Sequence, residues 1–327
     1  MRSREEKLEF KKELEARTLG VHGKKDTLCQ GKVSLMAVMG VIMIALVVFI
    51  HVPLGDASWC LWWRQWGVQG VCRLGVPWFF FASGVFFARH VGEGEGWCWR
   101  EVKKRIGSLL LPYFVLNVLW LPVMIACNWI GARWFNQPVV VGANWACVIR
   151  GLGLSPFSWP IVVPTWFLRA LFVVAAAFGL VAVCLRMKSG DWAKRAVVAA
   201  VAWGVCFVQG RWFSSPRVDA FFHFTLSLQG LALFATGVLC SPLLMPRGKH
   251  PGDADLRRLT WSVLVLHAPI LSVLTMPLKA LGWYTPAFSM LTVYALFWAA
   301  AIGFSFLLGH ALGISRLRYI PKGIDSR

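Results

Sequence analysis

His51 closes an apolar run, Lys32 to Val52 (KVSLMAVMGVIMIALVVFIHV), of nearly unbroken hydrocarbon. An ionisable ring in such a run is costly to hold in lipid and is a functional candidate by default. Arg73, Trp166, Arg169, His223 and His267 stand in or at the edges of later apolar stretches. An unperturbed imidazole, pKa about 6.5, is neutral enough at pH 7 to accept a proton. It can deprotonate a hydroxyl or carry an acyl group itself. Arginines beside it could hold a carboxylate or phosphate, or stabilise an oxyanion. No Asp or Glu falls within any of the apolar stretches. The carboxylate relay of a proton-coupled carrier, and hydrolysis by paired carboxylates, therefore have no support there.

Each candidate also has a plainer reading. Arg73 and His223 lie close enough to an interface to snorkel. Trp166 fits an interfacial belt, and His267 could be a packed, hydrogen-bonded core residue. Arg169 is one turn deeper than Trp166 and harder to explain without a function.

The elements that position these groups are long hydrophobic blocks. The chain has 327 residues, of which 57% are hydrophobic, and a mean hydropathy of +0.61. Runs of about 20 apolar residues cross a hydrocarbon core of about 30 Å. The expected fold is thus all-α, a polytopic transmembrane bundle. Eight spans are predicted, at 33–52, 67–88, 109–130, 161–185, 196–209, 221–240, 259–277 and 288–313. The fifth is weak, and an aromatic interfacial segment, Trp59 to Trp66, precedes the second. Residues 1–32 form a polar, basic N-terminal segment and 314–327 a basic tail, flanking the membrane domain 33–313.

The net charge of +19 does not indicate nucleic-acid binding, because the cations sit in short clusters between the apolar blocks. With the N-terminus inside, about 26 Lys and Arg lie in cytoplasmic loops and about six outside, which favours N-in and C-in. Nine cysteines without a CxxC pair suggest neither a metal site nor a disulfide framework. A bridge between Cys60 and Cys72, at one membrane face, is possible. In this orientation His51, Arg73, Trp166, Arg169 and His223 belong to the outer half of the membrane, with His267 near the middle of its span.

Several blocks, taken in order, resemble the membrane acyltransferase 3 family of bacterial integral-membrane O-acyltransferases. They are VVFIHV, ending at His51; VPWFFFASGVFFAR, residues 76–89, which contains Ser83; REVKKRIGSLLLPYF, residues 100–114; and TWFLRALF, residues 165–172. FATG at 234–237 and SVLVLHAPIL at 262–271 complete the set. The resemblance covers roughly residues 33–320. Two positions depart from the family pattern. Gly40 stands where many members carry Arg or Lys, and Ser108 replaces the second arginine of a paired motif. Eight spans are also fewer than the ten or so usual in the family.

The resemblance implies an O-acyltransferase of the bacterial inner membrane. Its donor would be acyl-CoA, acetyl-CoA above all, used as a substrate with no bound cofactor. Its acceptor would be a carbohydrate or lipid-linked hydroxyl of the cell envelope. His51 matches the family's catalytic histidine. Arg100, Lys103, Lys104 and Arg105 match its donor-side cations, and clustered cations at a water-facing helix start suit the phosphates of CoA. Arg73, Ser83, Trp166, Arg169, His223 and His267 are then acceptor or cavity candidates. A break of the first helix at Gly40 would let the pantetheine arm reach His51. The rival reading is a non-enzymatic transporter or binding protein for a glycan or lipid, which would have no use for acyl-CoA.

Overall fold

A computed structural model describes residues 33–55, 57–135, 165–212, 226–245, 252–280 and 290–311, together with residues 149, 154, 160, 162, 283, 287 and 288. Among the described residues every regular element is helical. The first, α1, runs Leu35–His51. It starts where the Ser34 hydroxyl accepts from the Ala37 N–H, a standard N-cap. It stops because Val52, which precedes Pro53, is extended, the conformation that a following proline imposes. Pro53 has no N–H to return to the Phe49 carbonyl. The Tyr294 hydroxyl donates to that carbonyl instead, at 3.2 Å.

A short α2, Ser58–Trp63, continues through a π-turn, Arg64–Val68, and a 3-10 turn, Val71–Leu74, into α3, Gly75–Phe87. The basic amphipathic α4, Trp97–Arg105, passes through a second π-turn, Ile106–Leu110, into α5, Leu111–Phe135. That π-turn ends two residues before Pro112, whose ring would crowd the carbonyl four residues back in a regular helix. The bundle is completed by α6, Trp166–Cys184; α7, Trp192–Trp212; α8, Leu228–Leu244; α9, Asp253–Ala280; and α10, Leu291–Ala311.

Each of the eight apolar stretches contains a helix among its described residues, but the lengths differ from expectation. Among the described residues, six helical segments are long and apolar enough to cross a membrane. The leading α1 and α8 are shorter apolar helices of 17 residues each. The expected weak fifth stretch is a full 21 residues in α7. The aromatic segment ahead of α3 is itself helical, with Trp62 and Trp66 exposed. Gly40 does not break the first helix: α1 is continuous across it. Cys60 and Cys72 are buried free thiols.

The centre of the bundle is the α3–α8 seam. A Cβ on Gly84 would collide with the Phe234 carbonyl, and one on Gly237 with the Phe81 carbonyl. These reciprocal glycines let the two backbones meet directly, as small residues do between helices in lipid. On one side α6 and α7 pack on α8; on the other, α1 lies against α3, α9 and α10.

One end of the bundle is strapped by polar contacts. Asp253 at the start of α9 accepts from the Ser34 N–H and hydroxyl, at 2.7 and 2.8 Å. Arg195 of α7 donates to the Ser189 carbonyl at 2.5 Å and the Ser241 hydroxyl at 3.2 Å. The α6–α7 turn is closed by Asp191, whose carboxyl is held below the usual range by the Lys188 N–H and then by the Lys194 ammonium. Gly92 packs on the backbone of Lys188. The ordering of helices collects Arg89, Lys103, Lys104, Arg105, Arg186, Lys188, Lys194, Arg195 and Arg257 at this one end.

Candidate functional site

His51 is the last residue of α1 and is half-buried. The strap between Ser34 and Asp253 starts α1 and α9 at one level. Sixteen to seventeen residues up one helix and fourteen up the other differ by only about 4 Å at a rise of 1.5 Å per residue. His51 consequently meets His267, with ring centres 5.1 Å apart and a tilt of 48°. His267 is fully buried, and its Nδ1–H donates to the Val263 carbonyl at 2.8 Å. Pro269, two residues on, removes the N–H that would close on the Val265 carbonyl.

An aromatic frame holds the end of α1 that carries His51. The Phe49 ring stacks on Trp298 at 4.5 Å and on Tyr294 at 5.9 Å, and meets the edge of Trp63. Trp63 Nε1 donates to the Tyr294 hydroxyl at 3.1 Å, and Trp298 Nε1 to the Ala45 carbonyl at 3.1 Å. Position and rotation of the last helical turn are therefore set by α10 and α2 together.

Arg169 lies deeper, in a second buried group. Its guanidinium sits 5.7 Å from the centre of the Tyr113 ring, and the side chain is nearly inaccessible. Buried Asn117 of α5 anchors this region. Its amide donates to the Tyr113 carbonyl and the Thr165 hydroxyl, at 2.8 and 2.9 Å, and it accepts from the Val162 N–H at 3.0 Å. The turn that starts α6 is thereby fixed on α5. Trp166 opens α6, half-buried and edge-on to Phe167 at 6.5 Å. Ser83 is half-buried in α3. Arg73 is exposed on the 3-10 turn before α3. His223 lies outside the described residues.

The four cations of α4 occupy different situations. Arg100 donates to the Glu93 and Glu95 carbonyls, at 2.7 and 2.6 Å, and so closes the loop of Gly92, Gly94 and Gly96, all at positive φ. Lys103 is exposed over the Trp99 ring at 5.3 Å. Lys104 pairs with buried Glu101 at 3.3 Å, and Arg105 approaches the same carboxylate at 3.8 Å while lying 5.0 Å over the Phe87 ring. His90 reaches Glu101 at 3.5 Å. From Arg105 to Tyr113 is eight residues of helix, about 12 Å of depth. Arg169 stands fifteen residues before Cys184 at the basic end of α6, about 22 Å away, so the Tyr113–Arg169 contact spans the middle of the bundle.

Sequence reasoning did not single out Tyr113, Tyr294, Asn117 or Glu101. The chain has only four tyrosines; Tyr113 meets the site residue Arg169, and Tyr294 holds the helix turn that carries His51. An asparagine seven residues inside an apolar helix was a readable signal for buried polar bonding. Among the described residues no three His, Cys, Asp or Glu side chains group as a metal site would need.

Residues 38–251 match the model of the acyltransferase 3 family, described as an acyltransferase domain. No curated protein and no solved structure matches the chain.

Proposed function

The chain belongs to the membrane acyltransferase 3 family, and from that premise we propose that it moves an acetyl group from cytosolic acetyl-CoA to a hydroxyl of a cell-surface glycan or a lipid-linked precursor. It is a membrane acyltransferase, transferring groups other than aminoacyl groups. We place it in the bacterial inner membrane with eight spans. Its strapped, cation-rich end would face the cytoplasm, in keeping with the bias of Lys and Arg toward that side.

The observation that carries the reading is a histidine of the matched region, His51, held by its helix end against a second buried imidazole. In this reading His51 takes the proton of the acceptor hydroxyl as its oxygen attacks the thioester carbonyl, or carries the acyl group itself. Lys103 and Lys104 would meet the phosphates of CoA. The continuous α1 leaves the pantetheine arm to enter past Tyr113 and Arg169, and buried Arg169 is suited to a developing oxyanion along that path. Trp166 would stack on the acceptor.

The test is glycan mass spectrometry on whole cells of a deletion strain, complemented with wild type or with His51→Ala at matched expression. The reading expects an acetyl-sized mass that returns only with wild type, the variant losing at least about 10³-fold. Full return with His51→Ala removes His51 from the chemistry. No acetyl change in any strain moves the transport reading ahead.

A further inference from the structure

The family match ends at residue 251, so α9 and His267 lie beyond it. His267 is also the least exposed ionisable side chain among the candidates, with no accessible surface. Its Nδ1 lies 2.8 Å from the Val263 carbonyl. A carbonyl only accepts, so Nδ1 carries the proton of that bond, and in the neutral ring Nε2 is left with a bare lone pair. Nε2 is buried without a hydrogen-bond partner. An acceptor left so costs about 1–3 kcal/mol, and such exceptions call for an explanation. Protonating Nε2 offers none, because it would put an unpaired cation among packed helices.

The explanation lies in the ring facing it. Two imidazoles joined by an N–H···N bond of about 3 Å have centres about 5 Å apart, and the centres of His51 and His267 are 5.1 Å apart. The strap at Asp253 and the Tyr294 bond to the Phe49 carbonyl fix both backbones. Bond formation then needs only a turn of the His51 side chain about its own torsions.

We propose that His267 is a positioning residue for His51: its Nε2 accepts the N–H of one His51 ring nitrogen, leaving the other nitrogen to face the reacting hydroxyl. The proposal rests on the reading of His51 as the group that handles the acceptor proton. In the step, the acceptor O–H gives its proton to the outward nitrogen of His51 while oxygen bonds to the acyl carbon. The carbon–sulfur bond then breaks, and the leaving CoA thiolate takes the proton from His51. His267 neither gains nor loses a proton. It accepts a hydrogen bond that becomes charge-assisted when His51 is cationic, the part an orienting carboxylate plays beside a catalytic histidine elsewhere.

The test uses the full chain. In bilayers, solid-state NMR of protein with ¹⁵N-labelled histidine reads the tautomer of His51, whose signals are assigned by their loss in His51→Gln. Transfer is read in permeabilised deletion cells given radiolabelled acetyl-CoA. Wild type is expected to hold His51 in one tautomer. His267→Asn, which can still donate to Val263 but offers no acceptor at the Nε2 position, is expected to mix the tautomers and slow transfer at least about 10²-fold. His267→Gln, whose amide oxygen can reach that position, is expected to stay within about tenfold of wild type. An unchanged tautomer in His267→Asn overturns the proposal, whatever the rate, and leaves His267 a packing residue. Should His267→Asn fail to insert, a mixed His51 tautomer in wild type overturns it equally. If His51→Gln retains transfer, the acyl-transfer reading of His51 fails first. If His51→Gln is inactive and His267→Asn fully active, only the present inference falls.

Discussion

The His51–His267 contact and the basic helix α4 are two places among the described residues where chemistry-bearing side chains gather, and they are built in opposite ways. At the first, two rings sit among packed helices, and the one polar atom with nothing to bond faces the interior. At the second, every cation already has an engagement: Arg100 with two carbonyls, Lys104 and Arg105 with Glu101, Lys103 with the Trp99 face. The difference teaches where preorganisation resides. The buried site is held by its scaffold and keeps capacity in reserve. The surface cluster is satisfied within the chain, so any anionic ligand must compete for it.

Breaking the scaffold of the first region should have the largest effect. Tyr294→Phe removes the hydroxyl that serves the Phe49 carbonyl and receives the Trp63 N–H. Two part-buried polar groups lose their partner, which costs up to about 1–3 kcal/mol each where no water replaces it. Thermal unfolding in detergent should show the loss. Acetyl transfer should fall about tenfold or more, because the last turn of α1 aims His51. A variant with wild-type stability and rate would show that the aromatic frame does not position the site.

How much of this was legible in the sequence differs between the two regions. The α4 cluster is local: Arg100 to Arg105 share one helix, and a basic amphipathic stretch ahead of an apolar run announces itself. The His51–His267 contact was not legible as a contact. His51 was expected near the outer face and His267 at mid-span, yet they meet. What aligns them is a strap between residues 34 and 253, a pairing over 219 positions that no periodicity reveals. The positions of the helices followed from hydropathy, whereas their ends did not. Pro53 cuts α1 short, and the proposed break at Gly40 failed because an isolated glycine costs a helix only about 1 kcal/mol. The α3–α8 seam likewise depends on which face Gly84 and Gly237 turn toward each other, which apolar runs do not specify.

The second region should respond more mildly to losing its charge. The double change Lys103→Ala and Lys104→Ala removes two exposed cations and leaves the buried pairing of Arg105 in place. The expected outcome is a rise of about tenfold in the KM for acetyl-CoA with kcat unchanged, since the lost contacts serve ground state and transition state alike. The effect should shrink at high salt. A fall in kcat at constant KM would mean that this cluster acts on the chemistry and the contrast between the two regions is wrong.

The smallest effect is the most discriminating, because its sign is opposite. Glu101→Gln removes the carboxylate that pairs with Lys104 and Arg105, which then no longer competes with a phosphate for Lys104. Lys104 is the exposed partner, and pairs to an exposed cation are worth about 0–1 kcal/mol, so the KM for acetyl-CoA should fall by about two- to fivefold, a gain of about 0.4–1 kcal/mol. Some stability should be lost in return, because the carboxylate also holds His90 and keeps Arg105 over Phe87. Tighter donor use together with a lower melting temperature would identify Glu101 as an internal competitor for the donor. A KM that is unchanged or higher would mean the donor phosphates bind elsewhere, and the cations of α4 would then serve orientation in the membrane and the closure of their own loop.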